Sequence, residues 1–179
     1  SYGWEDGPDV LGAVAFIQER VSKEQVPIGI AGCSMGGQIA LQGGIYSPEI
    51  DAVWSDGPGI IRSADNAPAQ NVVHVLVKIS NHMLDAMYVQ KLGIPAPLPM
   101  IDQIDKIAPR PIMLVGGGTE KGVLGSEAPR IEHYASFAGP NAQTWIIEEA
   151  THCDGPTQRP EEYARRLGEF FDAAFALED

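Results

Sequence analysis

The sequence predicts an α/β fold, a parallel sheet with helices on both faces, and three observations predict it. Short apolar runs alternate with segments of helical periodicity along the 179 residues, and strands separated by helices pair in parallel because each helix crosses back over the sheet. The run Ile28-Gly29-Ile30-Ala31 passes through Gly32-Cys33-Ser34-Met35-Gly36-Gly37 into a helix-like stretch from Gln38 to Ile45, which is a strand, a sharp turn and a helix in succession. Hydrophobic residues make up 44% and charged residues 20%, a balance that suits one packed core rather than a disordered chain. One domain, residues 1–179, is the natural count.

The elements follow in order. Gly7-Pro8-Asp9 opens the first helix, where proline is tolerated in the first turn and an acid meets the positive end of the dipole. Val10, Val14, Ile17 and Val21 then recur at helical spacing, a face expected to cover the sheet. Strands are expected at Ile28–Gly32, Ala52–Ser55, Pro111–Val115 and Thr144–Glu148, with a helix at Pro129–Ala138 between the last two. The final helix starts at Pro160 and puts Tyr163, Leu167, Phe170, Phe171 and Ala174 on one side. Residues 66–99 interrupt this rhythm with an apolar helical stretch from Val72 to Tyr88 and then Pro95-Ala-Pro97-Leu-Pro99. No internal repeat or low-complexity run is visible.

The chemistry starts at Ser34. In Gly-x-Ser-x-Gly between strand and helix, the serine stands on a tight turn, and side chains at Gly32 and Gly36 are expected to collide with the crossing backbone, with Gly37 completing the glycine set. A serine hydroxyl is a poor nucleophile until an imidazole takes its proton. Of four histidines, His74, His82 and His133 fall on helical stretches and read as surface or packing residues. His152 lies in the loop Ala150-Thr-His-Cys-Asp-Gly-Pro156 after an expected strand, where catalytic side chains are held. The imidazole needs a carboxylate to orient it, and Glu120, after the strand at 111–115 and Gly116-Gly-Gly118, is the first choice. Serine, acid and histidine then run 34, 120, 152 along the chain, an order that discriminates among triad proteins.

With these residues in view, the chain resembles the C-terminal part of an α/β-hydrolase of the esterase, dienelactone-hydrolase and prolyl-oligopeptidase-like branch. Gly32–Gly37 is similar to that branch's nucleophile elbow, Ala108-Pro-Arg-Pro-Ile-Met-Leu-Val-Gly-Gly117 to the strand before its acid, and Glu149-Ala-Thr-His152 with Pro160-Glu-Glu-Tyr163 and Gly168-Glu-Phe-Phe171 to its histidine loop and closing helix. The resemblance covers the chain from Asp9 onward and implies an α/β-hydrolase fold lacking its N-terminal strands. It further implies a serine hydrolase that cleaves carboxylic esters through an acyl-enzyme intermediate, with peptide or lactone cleavage open to the same machinery. The branch usually ends this strand His-Gly-x-x-Asp, whereas Glu stands at 120 here. Some members place the acid after the preceding strand, which makes Asp56 the alternative. The N–H of Met35 is the implied oxyanion donor, and its partner would come from a loop upstream of the resemblance. Residues from about 64 to 100 match the place of a lid or cap insertion, so Met83, Met87 and Tyr88 are candidates to contact an acyl group. A catalytically silent binding domain on the same fold, or an inactive truncated fragment, are the rival readings. A chain that starts at Ser1 and lacks those strands would leave the strand at 28–32 with a bare apolar edge that invites self-association; a sharp monomer peak with cooperative melting would contradict that.

Other classes recede. Twelve Lys and Arg against 24 Asp and Glu give a net charge of −12, which argues against nucleic acid or an anionic membrane surface as partner; the resemblance implies a small-molecule ester as substrate. No apolar stretch reaches membrane-spanning length, and localisation is left open. Cys33 and Cys153, the only cysteines, are expected to be free thiols beside the site, because a bridge makes narrow geometric demands. Gly116-Gly-Gly118 lacks the spacing of dinucleotide or phosphate loops. The consecutive ligands His152-Cys153-Asp154 do not make a zinc site, so no metal or other cofactor is expected.

Overall fold

Apolar runs and helical periodicity are realised as a four-stranded sheet with helices on both faces. The computed structural model describes residues 3–21, 26–119 and 125–176. Strands β1 (Gly29–Cys33), β2 (Ala52–Asp56), β3 (Ile112–Gly117) and β4 (Ala142–Ile147) lie in the order β1-β2-β3-β4, every neighbouring pair parallel. The helices are α1 (Gly7–Gln18), α2 (Met35–Tyr46), α3 (Val72–Leu92), α4 (Ala128–Phe137), α5 (Gly155–Gln158) and α6 (Pro160–Phe175). The short α5 begins within the stretch read as a loop and extends beyond it. Short 3-10 turns at Ser63–Asp65, Met100–Asp102 and Ile104–Ile107 flank α3.

Side chains alternate across each strand, so the two faces collect different cores. Val53, Ile112 and Leu114 pack with Leu41 of α2 and with Ile131 and Tyr134 of α4. Trp54, Met113, Val115 and Trp145 pack with Phe170 and Ala174 of α6 on the other face. Trp54, 1% exposed, meets Tyr163, Phe170 and Trp145 edge-on at centroid distances of 5.5, 5.6 and 6.3 Å. Such pairs contribute about 0.5–1.5 kcal/mol each beyond their buried area. Arg110 donates to the carbonyls of Gly44, Ser47 and Ile50 at the end of α2 and just beyond, satisfying acceptors that the ending helix leaves open.

Two expectations change here. The face of α1 does not cover the sheet: Val14 is buried and Val10 rests on Gly43 of α2, but Ile17 and Val21 are 37% and 38% exposed. The helix packs on α2 rather than on strands, so only the stripe toward α2 is buried. On α3, Met83 and Met87 are exposed, and the Tyr88 ring meets that of Trp4 at a tilt, with centroids 5.4 Å apart. The side of α3 that faces the carboxyl end of the sheet carries His74, Val77, Lys78 and Asn81 instead. Among the described residues β1 is the outer strand of the sheet, and it alternates exposed with half-buried residues.

Candidate active site

All four strands end, in parallel, on one side of the molecule, and the candidate residues converge there. Ser34 follows β1 directly and takes φ 59°, ψ −121°, a conformation that costs energy for a residue with a Cβ and is held only by its surroundings. Those surroundings are visible. The Ser34 N–H donates to the Asp56 carbonyl at 2.8 Å. A Cβ on Gly32 would lie 2.1 Å from the Gly36 carbonyl oxygen, and one on Gly37 would lie 2.8 Å from that of Asp56. The expectation for Gly36 is corrected: nothing stands within 4 Å of a Cβ placed there, because that position on the first turn of α2 faces open space. The elbow needs hydrogen at 32 and 37, where backbones cross.

His152 reaches Ser34. Its Nε2 lies 2.8 Å from Ser34 Oγ, and its Nδ1 lies 2.6 Å from Oε1 of Glu127. With a carboxylate accepting from Nδ1–H, Nε2 is the bare nitrogen that accepts from the serine hydroxyl, which is the tautomer a general base requires. Gly57, at φ +53°, makes room for this ring: a Cβ there would stand 2.9 Å from His152 Nδ1. Gly57 is not singled out in the sequence analysis.

The carboxylate on His152 is therefore Glu127, which the sequence reading missed. Glu120 lies outside the described residues. Glu127 stands just before α4, where its own N–H donates to the Gly117 carbonyl at 3.0 Å and its Oε2 accepts from the Gly117 N–H at 2.9 Å. Arg130 Nη2 donates to the same Oε1 that faces His152, at 2.9 Å. The carboxylate is thus held from three sides, with a side-chain exposure of 11%. The signal that could have found it is an acid at a helix start, Ser126-Glu127-Ala128-Pro129, held by Gly117 at the end of β3.

Asp56, the alternative acid, is buried nearby but faces another partner: its Oδ2 accepts from the Tyr163 hydroxyl at 2.8 Å, and Tyr163 accepts from Trp54 Nε1 at 3.0 Å. Burial pushes the Asp56 carboxyl above the usual carboxylate range, against the pull of the Tyr163 hydrogen bond, while Glu127 adds to the rise and His152 opposes it. The sign follows. A carboxyl whose folded pKa exceeds its unfolded one favours folding below the ordinary carboxylate range, and that contribution is lost as pH rises through the folded value. Asp56→Asn keeps an acceptor for Tyr163 and removes this loss. Its stability relative to the parent is expected to climb as pH rises from about 4, read from urea midpoints at a series of pH values, with Ser34 reactivity retained. Loss of reactivity would move the acid's role to Asp56.

The cysteine expectation is corrected as well. Cys33 and Cys153 form a disulfide, with Cα atoms 6.1 Å apart across 120 residues of sequence, and no cysteine is free. Their neighbours Ser34 and His152 are within hydrogen-bond distance, and that same approach brings the two sulfurs together.

Beside Ser34 opens a cavity of about 510 Å³, lined among others by Met35, Val77, Lys78, Asn81 and Arg130. This is within the size range of small-molecule sites. As the first residue of α2, Met35 carries an N–H with no intrahelical acceptor. Among the described residues, no group of three or more His, Cys, Asp or Glu could hold a metal ion.

No family model matches the sequence, and no curated protein matches it. Solved structures do. The chain is similar to the esterase Pf2001 of Pyrococcus furiosus, with a TM-score of 0.66 and 19% identity over 97% of this chain and 63% of that one. It is similar to the α/β hydrolase GrgF from Penicillium sp. sh18, with a TM-score of 0.65 and 15% identity over 95% and 71% of the two chains. A third is MGS-MChE2, an α/β hydrolase from a sediment metagenome of the Mar Chica lagoon in Morocco, with a TM-score of 0.54 and 20% identity over 92% and 70%. At these identities the likeness establishes the α/β-hydrolase fold. The chain spans about 63% of the Pyrococcus esterase.

Proposed function

Carrying an α/β-hydrolase fold, this chain is one for which we propose a serine hydrolase that cleaves carboxylic esters through an acyl-enzyme intermediate. The observation that carries the reading is the connected line Ser34 Oγ, His152 Nε2, His152 Nδ1, Glu127 Oε1, with links of 2.8 and 2.6 Å. Ser34 attacks the ester carbonyl as His152 takes its proton. The Met35 N–H stabilises the oxyanion, and His152 returns the proton to the departing alcohol. Water then repeats the sequence on the acyl-enzyme. Glu127 orients the imidazole and stabilises its cationic form. In this reading the cavity beside Ser34 receives the acyl or alcohol part of a small ester, and the open edge of β1 is where a further strand pairs, from another segment or a second copy.

Fluorophosphonate labelling tests the reading, because such probes react with an activated serine and not with an ordinary hydroxyl. Peptide mapping is expected to find the adduct on Ser34, with none on Ser34→Ala. Folded protein that takes no label would favour a catalytically silent domain.

A further inference from the structure

We propose that the Cys33–Cys153 disulfide is a positioning clamp that holds the His152 imidazole on Ser34, so that the site reaches its full rate only while the bridge is closed. The inference rests on the serine hydrolase reading above. Cys33 immediately precedes Ser34 and Cys153 immediately follows His152, so the bridge links the two reacting side chains through two residues, whereas the main chain between them runs 118 positions. Both joined pieces of backbone are unusual. Ser34, at φ 59°, and Cys153, at φ 56°, are the non-glycine residues of positive φ among those described, and such conformations persist only where the surroundings over-determine them.

The His152 loop has little else to hold it to the elbow. Its main-chain ties run back to its own strand end and to Thr119: Ala150 N–H to Ile147, Thr119 N–H to Ala150, Asp154 N–H to Thr151. Among the described residues, no main-chain hydrogen bond joins 151–154 to the elbow at 33–37. The bridge also touches the ring itself, with Cys153 Sγ 3.9 Å from Nδ1 and 3.8 Å from Nε2 of His152. A Cβ on Gly57 would come within 3.3 Å of that sulfur as well as 2.9 Å of Nδ1. Imidazole, sulfur and the turn after β2 are therefore packed as one unit, and the side chain it steadies is otherwise 38% exposed.

Opening the clamp takes two electrons and two protons. One thiolate of a dithiol reductant attacks a bridge sulfur to give a mixed disulfide, and its second thiol displaces the protein cysteine. Cys33 and Cys153 are left as thiols and the reagent as a cyclic disulfide. Once released, Cys153 is free to leave its positive φ and carry His152 with it. A displacement of about 1 Å between reacting groups costs on the order of 100-fold in rate.

The test compares the full oxidised chain with two unbridged forms, the dithiol-reduced chain and the double variant Cys33→Ala, Cys153→Ala. Alkylation and mass measurement count the thiols, near-UV circular dichroism establishes that each form is folded, and the rate of fluorophosphonate labelling at Ser34 is the readout. Both unbridged forms are expected to label about 100-fold more slowly while folded, with reoxidation restoring the reduced parent and leaving the variant slow. A folded unbridged form that labels at the oxidised rate, with only its melting temperature lowered, would reduce the bridge to a structural staple and overturn the clamp alone. An oxidised chain that never labels overturns the hydrolase reading and the clamp together.

Discussion

Replacing Glu127 with glutamine is expected to slow reaction at Ser34 by about 10⁴-fold, or some 5.4 kcal/mol of transition-state stabilisation. The two oxygens of Glu127 are engaged separately: Oε2 accepts from the Gly117 N–H, while Oε1 accepts from His152 and Arg130. An amide has one acceptor oxygen. If glutamine turns that oxygen toward Gly117, its NH2 group faces His152 Nδ1 and selects the tautomer with hydrogen on Nε2, which cannot accept from Ser34. If it turns the oxygen toward His152, its NH2 opposes the Gly117 N–H, and the end of β3 loses a partner. Either arrangement also deprives the imidazolium of a counter-charge. Labelling rate at constant pH is the measurement, with Glu120→Gln and Asp56→Asn beside it. Parent-like reactivity in Glu127→Gln together with a collapse in either comparison variant would assign the acid elsewhere.

The way Glu127 escaped notice separates what a sequence exposes from what it hides. Strands β2 and β3 were legible because both of their faces are buried, so their residues read as apolar runs, and the elbow was legible because a strand, a serine and a helix are contiguous in the chain. His152 was legible as a loop residue beyond a strand. The carboxylate on His152 was not, because its place is set by distance in space: Glu127 stands ten positions after the last residue of β3, and the reading took the first carboxylate after the strand. Position relative to a second element, the start of α4, was the missing information. The same limit explains the cysteines, whose neighbours were both recognised while the approach of their sulfurs depends on two loops meeting. It explains Gly36 and Gly37 too, since which of two adjacent glycines faces a crossing backbone depends on the rotation of the helix they begin.

Asp65→Ala is expected to cost about 3 kcal/mol or more, a large part of the 5–15 kcal/mol that stabilises a domain. Asp65 is fully buried and accepts three backbone N–H groups, from Ile61 at 3.0 Å and Arg62 at 2.9 Å on Oδ2 and from Ile101 at 3.1 Å on Oδ1. Alanine leaves these donors without a partner, and an unsatisfied buried donor costs about 1–3 kcal/mol. The loss falls at a chosen place. Ile61 and Ile101 lie on either side of the segment that carries α3, so Asp65 pins its two ends together beneath the helix whose His74, Val77, Lys78 and Asn81 line the cavity beside Ser34. Asp85 on α3 secures the same corner by accepting from Arg62 Nε and from the N–H and hydroxyl of Ser63. Asp65→Asn retains one acceptor oxygen but turns its NH2 toward a donor, so an intermediate loss is expected. Urea midpoints measure the stability, and labelling at Ser34 in the folded variants measures the site. Because Ser34, Glu127 and His152 follow β1, β3 and β4 in the chain rather than lying on this segment, reaction with a small fluorophosphonate should survive in folded Asp65→Ala, while a probe large enough to fill the cavity should react more slowly. Equal loss with both probes would mean that the segment supports the triad itself rather than the wall of the cavity.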